Sequence, residues 1–288
     1  MHVAVLGAGT MGNGIAHASA VAGHTVTLRD IDEEILTDAL DTIEANLEGG
    51  VERDKLDRAE ADAALDRIAS TTEMADIADA DVVIEAVPED IEIKEAVLTE
   101  AEDVVDEDAL IASNTSSISL TSIADLLERS NRVCGLHFFN PAHIMPLVEI
   151  VVAEQTTAET RSRAEDFVTD IDKTAIVVQD FPGFASSRLG VALGTEAMRM
   201  VQQGVASPAD IDAAMELGYN HPMGPLDLTD LVGLDVRLDV LEYLRAELGE
   251  RFRPPQVLKR KVRAGKLGQK TGEGFYVWED GEALKGDE

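Results

Sequence analysis

Cysteine is nearly absent from this chain, which has one such residue, Cys134, in 288. That excludes an intramolecular disulfide and any cluster of cysteine metal ligands. Within the apolar run RVCGLHF the lone thiol reads as a small buried hydrophobe rather than a nucleophile. Long apolar runs are missing as well, and none approaches the roughly 20 residues that cross a bilayer. No basic region or cleavage pattern precedes MHVAVLGAG, so no leader is expected and the chain reads as cytoplasmic. No internal repeat is visible. Histidines and carboxylates do not gather at ligand spacing, so no metal is expected.

Basic residues are scarce too: 24 against 56 acidic ones, a formal net charge of -32. Such a field repels nucleic acid and anionic membrane, and neither is an expected partner. The acids are spread along amphipathic segments such as DEEILTDALDTIEANLEGG rather than collected in a tail. Salt near 1 M shortens the screening length to about 3 Å. The dispersal therefore fits a folded protein from a halophilic source, expected to loosen at low ionic strength. Hydrophobic residues make up 45% of the chain, enough for a real core in one large domain or two ordinary ones.

What is present begins with alternating strand-like and helix-like runs. The strands read are 2–8, 25–30, 68–71, 81–87, 109–115, 133–139, 147–152 and 174–179. Short, β-branched, nearly continuous apolar runs suit strands buried on both faces. Helical patterns between them imply βαβ crossovers and a largely parallel sheet, an α/β fold of Rossmann type. The acidic stretch 32–67 is long for one crossover and predicts a protruding helical hairpin. After DFPGFASSRLG the pattern changes, and no strand is expected beyond Gly183. SSRLGVALGTEAMRMVQQG reads as a helix closed by Gly204. SPADIDAAMELG reads as one capped by Ser207, opened by Pro208 and ended before Gly218. Leu234, Leu238, Leu241 and Leu248 share a helical face. The expected division is a dinucleotide-binding domain, 1–180, and an all-α domain, 181–288.

VAVLGAGTMGNGIA places Gly7, Gly9 and Gly12 in a G-x-G-x-x-G arrangement between a strand and a helix. Gly7 permits a tight turn, Gly9 lets backbone approach a pyrophosphate, and Gly12 lets helix and strand pack closely. With Ala8, Thr10 and Met11 they form the expected phosphate-binding turn, at a helix N-terminus whose amides favour anions. Asp30 ends the second strand, where a carboxylate accepts from both ribose hydroxyls and disfavours a 2′-phosphate. NAD is therefore the expected cofactor. Strand alternation should point the adjacent Arg29 away from Asp30.

In GLHFFNPAHIMPLVEI a histidine and a glutamate stand where valines would pack at lower cost. Oxidation of an alcohol needs a base for the hydroxyl proton, and an imidazole titrates near neutrality. A buried carboxylate on the other ring nitrogen would fix the tautomer. His137 and Glu149 lie on two strands joined by a loop, so they suit base and orienter. On spacing alone they suit a structural buried pair equally well. His143, in that loop, reads as a surface residue, and His2, His17 and His24 are scattered at the dinucleotide end.

GAGTMGNGIA, SNTSSISL, GLHFFNPAHIMPLVEIV, DFPGFASSRL, HPMGPLDLTDLVGLD and KTGEGFY, in this order, together resemble the L-3-hydroxyacyl-CoA dehydrogenase family across essentially the whole chain. The resemblance implies His137 as catalytic base and Glu149 as its partner. It implies that Ser116 and Asn140 contact substrate and nicotinamide, and that Glu89, Lys94 and Lys270 lie near NAD. Asn46 and Arg53 fall where the family's helical hairpin binds CoA. Ser187 stands where many members carry an asparagine that holds the acyl group. A shorter hydroxyl there is expected to work through water, which bears on chain length more than on chemistry.

The expected activity is reversible NAD-dependent oxidation of a (3S)-3-hydroxyacyl-CoA, with substrate between the sheet edge and the helical domain. Related enzymes pair through that domain, so a homodimer is expected. Two other readings share these features. One is a dehydrogenase of a free hydroxy acid or sugar acid such as gulonate; the other is a non-catalytic, crystallin-like dinucleotide-binding protein.

Overall fold

Eight strands form one sheet in the first unit, Met1–Phe181. They are β1 (His2–Leu6), β2 (Thr25–Arg29), β3 (Ile68–Thr71), β4 (Val82–Glu85), β5 (Leu110–Ser113), β6 (Val133–Phe138), β7 (Leu147–Val152) and β8 (Thr174–Gln179). This computed structural model describes residues 1–285. The strand order is β3-β2-β1-β4-β5-β6-β7-β8, and every neighbouring pair is parallel except β6 with β7. The exception has a plain cause: residues 139–146 are too few for the crossover a parallel pair requires. Most strands end one or two residues earlier than their apolar runs, because the last residues of each run turn out of the ladder to build loops.

Valine, isoleucine and leucine fill the interior strands, since helices cover both faces of the sheet. Val3, Val5 and Ile84 face one layer, formed by α1 (Thr10–Val21), α2 (Glu33–Glu52), α3 (Arg58–Asp66) and, further along, α6 (Ala158–Asp170). Ala4, Leu6 and Val83 face the other, with residues of α4 (Ile91–Val104); α5 (Leu120–Asp125) follows β5. The acidic stretch does form a hairpin, α2 and α3, but it does not stand away from the body. Leu36, Ala39, Ile43 and Leu47 recur at helical spacing and bury against α1. Asp32 caps α2 by accepting from the Glu34 amide at 2.8 Å, and Glu33 and Glu34 complement the helix dipole.

The second unit begins at Pro182. Its helices are α7 (Ser186–Gln203), α8 (Pro208–Tyr219), α9 (Pro225–Val232), α10 (Leu234–Leu248) and α11 (Gln256–Arg263). Gly204 closes α7 with φ +70°. Gly218 does not close α8; the helix runs through it to Asn220, which takes the left-handed conformation at φ 58°. Asparagine tolerates that region, so the glycine was not required as a stop. Two strands also occur where none was expected, β9 (Val277–Glu279) and β10 (Glu282–Leu284), paired antiparallel. Strands this short carry too few alternations to register in a sequence pattern. Buried Asp230 anchors the segment before them, accepting from the amides of Phe275 and Tyr276 and from Trp278 Nε1 at 2.8, 2.9 and 3.1 Å.

The leucine face of α10 packs into the unit's own core. Leu234 and Leu241 are buried in the unit's own core with Leu226, Leu244 and Leu258, and Leu238 and Leu248 pack against it. Among the described residues no helix is long and apolar enough to cross a membrane.

Candidate active site

The turn from β1 into α1 is fixed by close approach. Gly7 has φ +99°, and a Cβ on it would come 2.7 Å from the Ala86 carbonyl oxygen. A Cβ on Gly12 would sit 1.7 Å from the Gly7 oxygen, so helix and strand can meet only through glycine. Gly9 is the contrast: a Cβ there meets nothing within 4 Å. The space above Gly9 is open, as a pyrophosphate seated on the α1 N-terminus requires.

Gly7, Gly9, Thr10, Met11 and Asp30 line a groove of about 460 Å³, whose other wall includes Ile31, Ile35, Val87, Ile93 and Val97. Asp30 is held in place by two amides, Ala8 to Oδ2 and Ile31 to Oδ1, both 2.7 Å. Each oxygen keeps a lone pair for a ribose hydroxyl. Arg29 is buried and donates Nε to the Thr72 carbonyl at 3.3 Å, although it too lines the groove. An apolar slot, a clamped carboxylate and an open glycine fit the adenosine half of a dinucleotide.

Met11, Ala86 and Val87 also line a second cavity of about 270 Å³, together with Glu89, Asn114, Ser116, His137 and Phe138. Here the antiparallel exception matters. His137 and Glu149 are register partners across β6 and β7, so their side chains leave the same face of the sheet side by side. His137 Nδ1 lies 2.8 Å from Glu149 Oε2, and the carboxylate is wholly buried. The ring also packs against Phe139 with centroids 4.7 Å apart.

A buried polar network supports this cavity from behind. Glu85, at the end of β4 and 0% exposed, accepts from Lys94 Nζ (2.7 Å), Ser113 Oγ (2.5 Å) and the Val87 amide (2.8 Å). Lys94 reaches Glu89 Oε2 at 3.2 Å as well. The other oxygen of Glu89 accepts from Thr115 Oγ1, the amides of Ser116 and Ser117, and Ser117 Oγ. Burial alone would raise the Glu89 pKa, but these hydrogen bonds and the Lys94 charge outweigh it and hold it at about 2.

The residues expected at the site divide accordingly. Gly7, Gly9, Thr10, Met11 and Asp30 line the groove, and Ala8 clamps Asp30. His137, Ser116 and Glu89 share the cavity, with Glu149 behind the histidine. Lys94 is 1% exposed and enclosed by two carboxylates, one of them the cavity-lining Glu89, so it braces the site from within. Asn140 is exposed beyond the end of β6 and is not among the cavity-lining residues. Asn46 lies on α2, and Arg53 is the residue that ends it. Ser187 in α7 and Lys270, which pairs with Asp235 at 2.6 Å, belong to the second unit. Sequence reasoning missed Asn114, whose Oδ1 accepts from the Phe138 amide at 2.9 Å and ties β5 to β6 beside the cavity. It also missed Glu85. The available signal was a lone acid ending an otherwise apolar strand, DVVIEAV.

Comparison with known proteins adds an independent line. The family model for the NAD binding domain of 3-hydroxyacyl-CoA dehydrogenase matches residues 2–181, and that for the C-terminal domain matches 183–278. A probable 3-hydroxybutyryl-CoA dehydrogenase of Deinococcus radiodurans is 41% identical over 279 residues, covering 96% of this chain and 100% of the relative. A 3-hydroxybutyryl-CoA dehydrogenase of Mycobacterium tuberculosis is 42% identical over 279 residues, covering 96% and 98%. The crystal structure of (S)-3-hydroxybutyryl-CoA dehydrogenase from Ralstonia eutropha superposes with a TM-score of 0.93 at 40% identity, covering 97% of this chain and 99% of that one. Matched in both of its units, the chain belongs to the 3-hydroxyacyl-CoA dehydrogenase family of NAD-dependent oxidoreductases.

Proposed function

We propose that the chain oxidises a (3S)-3-hydroxyacyl-CoA reversibly to the 3-oxoacyl-CoA, with 3-hydroxybutyryl-CoA as the substrate class its relatives' names suggest. The observation that carries this reading is the His137–Glu149 pair beside Ser116, in a cavity that shares its wall with the dinucleotide groove. A carboxylate can only accept, so the His137 Nδ1 carries a proton and Nε2 is left basic. His137 then takes the hydroxyl proton, and Glu149 stabilises the imidazolium that results. Bound NAD supplies the hydride acceptor. In this reading the Ser116 hydroxyl, in the cavity beside His137, holds the reacting oxygen, and Asn140 meets the substrate from the loop after β6.

The test is a spectrophotometric assay in molar KCl: NADH consumption with acetoacetyl-CoA or with free acetoacetate, and NADH formation from NAD with a sugar acid such as gulonate. Turnover of the thioester alone supports the reading. Turnover of the free acids, or none, removes it in favour of a hydroxy-acid dehydrogenase or a non-catalytic protein.

A homodimer through the second unit belongs to the same reading. Its support is a set of exposed apolar side chains in that unit: Leu189, Leu217, Tyr219, Leu231, Val232 and Val236. Exposed apolar side chains of this size suit an association face. Light scattering in high salt checks it, and a monomer would remove it. The single cysteine, buried in β6, is consistent with a cytoplasmic setting.

A further inference from the structure

Residues 139–146 connect β6 to β7, and Asn140 stands near their start. Directly after it the chain closes into one turn: the amides of Ile144 and Met145 both donate to the Pro141 carbonyl, at 3.0 and 2.9 Å. Two other elements hold this turn. Lys173, just before β8, donates Nζ to the Met145 carbonyl at 2.7 Å, and the Thr174 amide donates to the Pro146 carbonyl at 2.7 Å. The second element is α1. Gly14 on that helix has no side chain, and a Cβ there would come 3.0 Å from the Ala142 Cβ, so helix and turn touch. Three residues on, along the same helix face, the His17 ring stacks on His143 with centroids 4.7 Å apart and planes 23° apart.

His17 is 8% exposed, and its Nδ1 has no hydrogen-bond partner among the described residues. Leaving a buried polar atom unpaired costs about 1–3 kcal/mol. The face that this ring offers to His143, rather than its nitrogens, therefore accounts for a histidine here. Burial first, and then neighbouring bases, lower the His17 pKa to about 4 and lower that of His143. Both rings are neutral near pH 7 and stack without mutual repulsion. The same helix carries Thr10 and Met11, which line the dinucleotide groove. One element thus meets the cofactor groove with its first turn and the turn after Asn140 with Gly14 and His17.

We propose that His143, seated on His17, is a positioning residue that fixes Asn140 for the substrate. The proposal rests on the reading of Asn140 given above. Asn140 is exposed, and the turn that follows it supplies its order. Neither ring lines the cavity or the groove, so both act through that turn. Without the stack, the turn keeps only its contact at Ala142 and the two hydrogen bonds at its far end. A displacement of about 1 Å at a group that orients substrate costs up to about a hundredfold in rate.

The experiment measures kcat and KM with acetoacetyl-CoA and NADH in the wild type, His143→Ala, His143→Phe, Asn140→Ala and the double variant Asn140→Ala/His143→Ala. His143→Ala should lower kcat about ten-fold, with KM for NADH within about two-fold of the wild type. His143→Phe returns a ring to the stack and should bring kcat back to within about two-fold. In the Asn140→Ala background, His143→Ala should have no further effect, because residues acting through one contact are not additive. Losses that multiply in the double variant overturn the positioning role. So does a His143→Phe enzyme no better than His143→Ala, or a His143→Ala enzyme equal to the wild type. Should His143→Ala not fold, His143→Gln, which fills the space without an aromatic ring, takes its place in the same comparison. An Asn140→Ala enzyme with wild-type kcat removes the substrate reading of Asn140, and the positioning role with it. An impaired Asn140→Ala beside an unimpaired His143→Ala overturns the positioning role alone.

Discussion

Glu149 meets His137 because β6 and β7 run antiparallel with these two residues as direct partners, Nδ1 to Oε2 at 2.8 Å. A one-residue slip in that register would send the carboxylate to the opposite face of the sheet. If the pair acts as base and orienter, His137→Ala should lower kcat by about 10² to 10⁴-fold. Glu149→Gln should lower kcat by roughly a hundredfold with little change in KM. Steady-state kinetics with acetoacetyl-CoA check both, and an effect of Glu149→Gln confined to KM would contradict the orienting role.

Lys94 is the counter-ion of a carboxylate that has no access to water. Lys94→Met leaves Glu85 charged and buried with only a hydroxyl and an amide, which should cost about 3–5 kcal/mol. The double variant Glu85→Gln/Lys94→Met removes both charges and should recover most of that loss. Urea unfolding in molar KCl measures the difference; a single variant as stable as the wild type would show that the pair is not coupled.

Glu89 gives a pH signature. Its folded pKa, about 2, lies below the ordinary value of 4.5. Its contribution to stability is therefore complete above pH 4.5 and lost as pH falls through about 2. Glu89→Gln should cost only about 1 kcal/mol at neutral pH, because the side chain is a third exposed and screened. The gap between the variant and wild-type melting midpoints should close as pH falls from 4.5 toward 2. A gap that widens on acidification would contradict the assignment.

Salt acts on the whole surface. With a net charge of -32, self-repulsion should lower the melting midpoint in dilute buffer and lessen as KCl approaches molar concentration. Calorimetry across that range should show a rise of several degrees. A midpoint independent of KCl would remove the halophilic reading.

Much of the fold is legible because its signals are local. Val82 to Ile84 and Leu110 to Ala112 are buried strands whose apolar runs leave little alternative. Gly7 and Gly12 are required by contacts within one βα turn. The pairs that define the site are less local. Asn114 meets the Phe138 amide across two strands, and Glu85 meets Ser113 across neighbouring parallel strands with a helix between them in sequence. Nothing in the residues near Glu85 announces those partners.

The sequence by itself determined the alternation of strand and helix, the glycine turn, Asp30 at the end of β2, and the surplus of acid. Each depends on neighbours within a turn or two of chain, where periodicity and backbone sterics operate. Only the tertiary structure decided that Glu85 and Asn114 brace the cavity, that Lys94 is enclosed rather than presented, and that His17 lies against His143. These depend on strand register and on helix placement against the sheet. Both are set by packing the entire core, so no short stretch of residues contains them.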